Sequence, residues 1–153
     1  MSLLKYYNIE EVNEDDLLAL LNDERIREHL VEHEIFDKIK LRSWVDEKVK
    51  LNNVEGCRVR AIEQNDMLIG WCGIQLEGKD YELAIIIGSS HWGVGKRVFN
   101  DLMSWAKEIG HKEVVIHLLD SRNEYQFLKK IAKEVSTCRI MQRNFTTYRL
   151  AVC

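Results

Sequence analysis

Hydrophobic positions along this chain change period several times, and each change marks an element. The clearest run is 81–110. Residues 81–87, Tyr-Glu-Leu-Ala-Ile-Ile-Ile, are short, rich in β-branched side chains and almost uncharged, which predicts a strand covered on both faces. A glycine-bearing turn follows, Gly88-Ser89-Ser90-His91-Trp92-Gly93-Val94-Gly95-Lys96. Then Val98, Phe99, Leu102, Met103, Ala106 and Ile109 recur at helical spacing, and Gly110 suits a C-terminal cap.

The other elements are read the same way. Residues 5–9 suit a first strand, and Asn13 stands where a helix N-cap should, with Glu14, Asp15 and Asp16 in the first turn. Leu17, Leu18, Leu20 and Leu21 form its apolar face; Asn22-Asp23 interrupts, and Ile26, Leu30 and Val31 mark a second short helix. A third, over 37–51, buries Leu41, Trp44, Val45 and Val49. Strands follow at 57–61, which alternates, and at 67–74, which is apolar throughout; turns at Asn65-Asp66 and Gly78-Lys79-Asp80 join them in hairpin style to the strand at 81–87. After the helix, 113–120 is a strand reached by a crossover and hence parallel to 81–87. Tyr125, Leu128, Ile131, Ala132 and Val135 predict a helix over 123–135, and 137–141 and 146–152 close the sheet. The order predicts one mixed α/β domain over 1–153.

Composition changes this picture little. The 153 residues are 46% hydrophobic and 31% charged, enough for a real core. No apolar run approaches the about 20 residues of a membrane span, and Asp15-Asp16 break up the start too early for a signal peptide. The four cysteines show no C-x-x-C spacing, which suits buried thiols in a reducing cytoplasm. Neither a nucleic acid nor a membrane is expected as partner, and the net charge is −3. The charge is uneven: residues 1–80 hold 18 acidic and 11 basic side chains, net −7, and residues 81–153 hold 7 acidic and 11 basic, net +4.

The basic half contains the glycine turn, and there the chemistry concentrates. A glycine turn at a helix start leaves backbone N–H groups pointing outward at the positive end of the helix dipole, a site for an anion and usually a phosphate. A P-loop aligned on Gly95-Lys96 would need glycine at Ser90 and a hydroxyl at Arg97, so it fails twice. A dinucleotide fingerprint starts well at Gly93 and Gly95 but ends on Val98. A strand ending in a bulge and then G-x-G, with no metal, remains. In this respect the sequence resembles the GNAT family of acyl-CoA-dependent N-acetyltransferases, whose motif at this junction is Gln/Arg-x-x-Gly-x-Gly/Ala. His91-Trp92-Gly93-Val94-Gly95 looks most like the branch that acetylates ribosomal proteins, and the Gln/Arg position is Ser90.

The resemblance implies a mostly antiparallel sheet, flanked by helices and splayed around its one parallel strand pair. It implies acetyl-CoA as cofactor, with the pantetheine arm in the gap along Ile85 and Ile87. The pyrophosphate would lie on His91, Trp92, Gly93, Val94, Gly95 and Lys96, and Asn123 would touch the pantetheine or open the last helix. The Tyr that protonates the departing thiolate in many relatives corresponds to Lys130. Only a neutral amine attacks a thioester, so a base is useful. Glu82 lies five residues before Ile87, about 17 Å along an extended strand, comparable to the reach of a pantetheine arm, and is the candidate base. His29 and His33 stand on the expected acceptor wall. The backbone N–H near Ile87 would meet the oxyanion. The acceptor would be a small-molecule or peptide amine; Glu28, Glu32, Glu34 and Asp37 favour one that keeps a positive charge. The protein would be a monomer or a homodimer. The alternative is a GNAT-shaped acyl-CoA-binding sensor or interaction module without catalysis.

Overall fold

The computed structural model describes residues 4–29, 35–88, 93–119, 127–140 and 143–152. β1 (Leu4–Tyr7) leads through a 3-10 turn (Ile9–Glu11) into α1 (Glu14–Leu21). Asn13 caps α1 by accepting from Asp16 N at 3.0 Å, as its position predicts. α2 (Glu24–His29) follows, and then α3 (Lys38–Asn52), where Asp37 accepts from Lys40 N at 2.8 Å. Asn22 holds the chain between them, donating to Phe36 O at 2.9 Å and accepting from Phe36 N at 2.7 Å.

The sheet is built mainly from β2 (Arg58–Gln64), β3 (Met67–Glu77) and β4 (Asp80–Ile87), then β5 (Glu113–Leu119), β6 (Glu134–Ile140) and β7 (Arg143–Ala151). Its order is β1-β2-β3-β4-β5-β7-β6, with β4 and β5 parallel and every other pair antiparallel. α4 (Gly95–Ile109) makes the crossover between the parallel strands and ends on Gly110 at φ 108°, the left-handed cap that glycine adopts without strain.

Alternation along β4 divides the core in two. Leu83, Ile85 and Ile87 join Val98, Phe99, Leu102 and Ala106 of α4 on one face. Ala84 and Ile86 join Leu17, Leu21, Ile26 and Leu41 of α1, α2 and α3 on the other. A strand buried on both faces carries no polar alternation, and this is why 83–87 reads as a continuous apolar run.

Two expectations fail. The β3–β4 register is unbroken from Glu77↔Asp80 to Gly70↔Ile87, and Gly88 N continues it by donating to Ile69 O at 2.8 Å. No bulge therefore ends β4 up to Gly88; the register shift lies at Ile62/Glu63 in β2. The helix expected over 123–135 is described only as α5 (Leu128–Ile131). Its periodicity continues on paper to Val135, but Lys133 N donates to Arg149 O at 2.8 Å, and pairing with β7 carries Val135 into β6.

Candidate active site

The parallel register between β4 and β5 runs through Glu82↔Val115 alone among the described residues. Beyond it each strand keeps its outer partner: β4 stays on β3 as far as Ile87, and β5 stays on β7 through Leu119↔Phe145. The two strands therefore part toward their C-terminal ends. In an antiparallel ladder alternate residues turn both peptide groups to the same neighbour. The Gly88–Ile69 bond sets the phase, so Ala84 and Ile86 turn theirs to β3, while Ile85 and Ile87 turn theirs toward the opening. The side chains of Ile85 and Ile87 are buried, at 5% and 2% exposure, so it is their backbone that the opening meets.

At the wide end of the opening stands the start of α4. Val94 is its N-cap and supplies no side-chain cap bond. A Cβ added at Gly93 would meet no described atom within 4 Å. Gly95 is buried in the first turn, and Lys96 leans its ammonium over the Phe127 ring at 5.0 Å. A helix start that its N-cap side chain does not cap, beside a glycine open among the described residues, fits an anion. Of the remaining candidates, Ser90, His91, Trp92 and Asn123 lie outside the described residues, as do Glu32, His33 and Glu34. Asp37 is engaged as the α3 cap.

Glu82 sits at the narrow end, on the α3 face with Ala84 and Ile86, directly opposite Gln75. Lys48 of α3 reaches down to the same place, donating to Gln75 Oε1 at 2.6 Å with its ammonium 4.5 Å over the Trp71 ring. Burial, above all, pushes the Lys48 ammonium below its ordinary range, against the pull of Glu82 and Glu47. Glu82 shares a hydrogen bond with Glu77, and one carboxylate oxygen of each and a ring nitrogen of His117 lie within 4.8 Å of one another. His117 Nε2 is 3.4 Å from Glu77 Oε2, and its Nδ1 is 2.6 Å from Thr147 Oγ1. Nε2 faces a carboxylate and so carries a hydrogen; in the neutral ring Nδ1 then accepts from the Thr147 hydroxyl.

Burial first, then the hydrogen bond and charge of Glu77, push the Glu82 carboxyl up to about 9. Glu77 moves the other way, held below the ordinary carboxylate range by its hydrogen bond with Glu82 and by His117. Glu77, His117 and Lys48 are absent from the sequence reading. The signal for Glu77 is the two-residue turn Gly78-Lys79, which puts Glu77 diagonal to Glu82 across the hairpin. Nothing local marks His117 or Lys48, which reach the site through the crossover and through helix packing.

A splayed parallel pair, a helix start that no described side chain caps at its wide end and a half-buried carboxyl at its narrow end are set together on one mixed α/β sheet. The model of the acetyltransferase (GNAT) domain matches residues 8–127, and the chain belongs to that family. Among solved structures, an N-acetyltransferase from Staphylococcus aureus Mu50 superimposes with a TM-score of 0.74 at 15% identity, over 100% of this chain and 99% of that one. Spermidine N-acetyltransferase from Vibrio cholerae, in complex with CoA and spermine, gives 0.75 at 13% identity over 99% and 95%. A Salmonella typhimurium acetyltransferase that modifies the N-terminal serine of a 50S ribosomal subunit protein gives 0.74 at 13% identity, also over 99% and 95%. At these identities the likeness concerns the fold. The sequence matches no curated protein. No described helix is long and apolar enough to cross a membrane.

Proposed function

We propose that this protein transfers an acetyl group from acetyl-CoA to an amine by direct attack on the thioester. The reading rests on the parting of β4 and β5 beyond Glu82↔Val115, which turns the peptide groups of Ile85 and Ile87 toward an opening that ends at α4. An amide-bearing pantetheine arm would bond along that edge as an added strand does. Gly93, Val94, Gly95 and Lys96, with His91 and Trp92, would hold the pyrophosphate, and Asn123 would meet the arm. Bound acetyl-CoA supplies an activated acyl group. The backbone N–H near Ile87 would meet the oxygen on which charge develops. Glu82 would receive the amine's proton.

The acceptor we favour keeps a positive charge beside the reacting nitrogen, because residues 1–80, which supply α1 to α3, carry net −7. A cytoplasmic setting agrees with the free thiols of Cys57 and Cys72. A second reading, a CoA-binding module without turnover, draws on one observation. A carboxyl pushed up to about 9 holds its proton at neutral pH and is not itself a base.

Thermal shift with acetyl-CoA and with CoA tests binding. Saturation at 100 times Kd adds about 2.7 kcal/mol, roughly 5–10 °C for a chain of this length. Thiol release over a panel of polyamines, monoamines and peptides then tests transfer. A flat CoA titration at millimolar concentration removes the reading; a shift without thiol release from any amine leaves the binding module.

A further inference from the structure

We propose that Glu82 and Glu77 act as one unit, a carboxyl pair that passes the acceptor amine's proton outward, with His117 and Thr147 positioning Glu77. This rests on the acetyltransferase reading above. The pair is a product of hairpin register: Gln75 opposes Glu82, Glu77 opposes Asp80, and both acids project on the α3 face. Their hydrogen bond needs one proton between them, since two ionised carboxylates hold no donor. That proton belongs on Glu82, the more buried, while Glu77, with a side chain 53% exposed, keeps the charge.

Every neighbouring element contributes to that balance. From α3, Lys48 favours an ionised Glu82, but it is itself desolvated and engaged with Gln75 and Glu47. From β4, Asp80 opposes a charge on Glu77, yet Asp80 is held by Arg149 of β7 at 3.0 and 3.2 Å. From β5, His117 stabilises the Glu77 carboxylate, and Thr147 of β7 fixes the ring. The result is a neutral acid facing inward and an anion facing water.

A neutral carboxyl still moves a proton. An alkylammonium against Glu82 gives up one N–H to the unprotonated oxygen of that carboxyl while the other oxygen releases its hydrogen to Glu77. One N–H and one O–H bond break, and two O–H bonds form. Glu82 ends as neutral as it began, Glu77 ends protonated, and the amine is left with its lone pair. Glu77 surrenders the proton to water after attack. Amine, Glu82 and Glu77 keep one proton count from bound complex to attack, so kcat does not depend on pH while Glu77 is ionised at the outset.

This differs from a plain base, which must be ionised before it works. The test compares pH profiles of kcat for the wild type, Glu77→Gln and His117→Ala, with infrared titration of protonated carboxyl groups in the same proteins. Glu77 is half exposed, so Glu77→Gln keeps the fold. Wild type should hold a plateau in kcat from about pH 6 to about pH 8.5. Glu77→Gln should lose at least about tenfold over that span toward acid and recover in alkali, with KM for acetyl-CoA unchanged. His117→Ala should keep the plateau and move its acid edge upward. A protonated carboxyl band at neutral pH should vanish in Glu82→Gln and titrate at lower pH in Glu77→Gln.

A wild-type kcat that climbs through about pH 9, where Glu82 loses its proton, would overturn the proposal and leave Glu82 a plain base. Equal infrared spectra for wild type and Glu82→Gln at neutral pH would overturn it as well. A turnover that requires a divalent cation would do the same, since the three groups would then hold an ion. Absence of turnover with every amine sinks the acetyltransferase reading first; the infrared band, read without substrate, still tells whether the pair shares a proton.

Discussion

Replacing Gly70 by Ala is expected to be among the most damaging single-methyl changes in this protein. A Cβ built on Gly70 would lie 2.1 Å from Ile86 O, 2.9 Å from Ile87 Cα and 3.0 Å from Ile86 C. All three are backbone atoms, so no rotamer relieves the contact. Bringing the closest of them to 3.0 Å requires β3 and β4 to separate by roughly 0.9 Å at that point. The neighbouring Gly88 N to Ile69 O bond of 2.8 Å sits on the same segment and would stretch with it. Overpacking of this kind costs about 1–3 kcal/mol, and one or two weakened ladder bonds add about 0.5–1.5 each. The sum is about 3 kcal/mol, or a fall of roughly 6–12 °C in Tm for a chain of this length. The displaced segment includes Ile87, whose peptide groups turn to the opening, so CoA affinity should fall together with Tm. Thermal melting with and without CoA reads both. A Gly70→Ala protein melting within about 2 °C of wild type would mean that the strands part without strain. The close approach would then have no structural weight.

Three further outcomes are expected. Gly93→Ala should leave Tm within about 1 °C, since its Cβ meets no described atom within 4 Å, yet weaken CoA about tenfold by crowding the phosphate approach; normal CoA binding would place the anion elsewhere. Between the ordinary carboxylate value and about 9 the folded chain holds a proton on Glu82 that the unfolded chain has released, so this group lowers stability as pH rises. Glu82→Gln should therefore melt higher than wild type at alkaline pH and close to it near pH 4.5, and the opposite ordering in paired scans would refute the assigned shift. Asn22→Ala removes both bonds to Phe36 and should cost about 1–3 kcal/mol, raising KM for the amine while CoA titrations stay unchanged; an altered CoA affinity alone would count against an acceptor-side role for that segment.

What was legible in the sequence is what local chemistry decides. Asn13 and Gly110 announce helix ends because a cap needs only its own turn. The run 81–87 and the stripe from Val98 to Ile109 announce burial because period alone specifies the face. The helix expected over 123–135 failed where a distant partner intervened: Leu128, Ile131, Ala132 and Val135 are spaced for a helix, but β7 offers Lys133 and Val135 a ladder. At the site, Glu82 was found from its place on the organising strand. Glu77 needed the hairpin register as well. His117 and Lys48 needed tertiary structure, one through the parallel crossover and the other through the seat of α3 on Trp71.

One register serves three separate needs, and this explains why it is held so firmly. With Gly70 opposite Ile87 and Gly73 opposite Ala84, Leu83, Ile85 and Ile87 enter the α4 core, and Ile85 and Ile87 turn their peptide groups to the opening. The same pairing sets Glu82 on the α3 face beside Glu77 and Lys48. A slip of one residue would reverse every side chain on β4, sending Glu82 into the α4 core and Ile85 onto the α3 face. Burying that carboxyl without a partner costs far more than any packing gain returns. Glycine enforces the pairing from both sides. Gly70 permits backbone contact with Ile86, and Gly73 permits it with Arg58 O, 2.7 Å from where its Cβ would be. Gly78, at φ 60°, closes the hairpin in a conformation that side chains resist. β3 is thus held to β4 at Gly70 and at the Gly78 turn, and to β2 at Gly73, and the chemistry of β4 follows from the first of these.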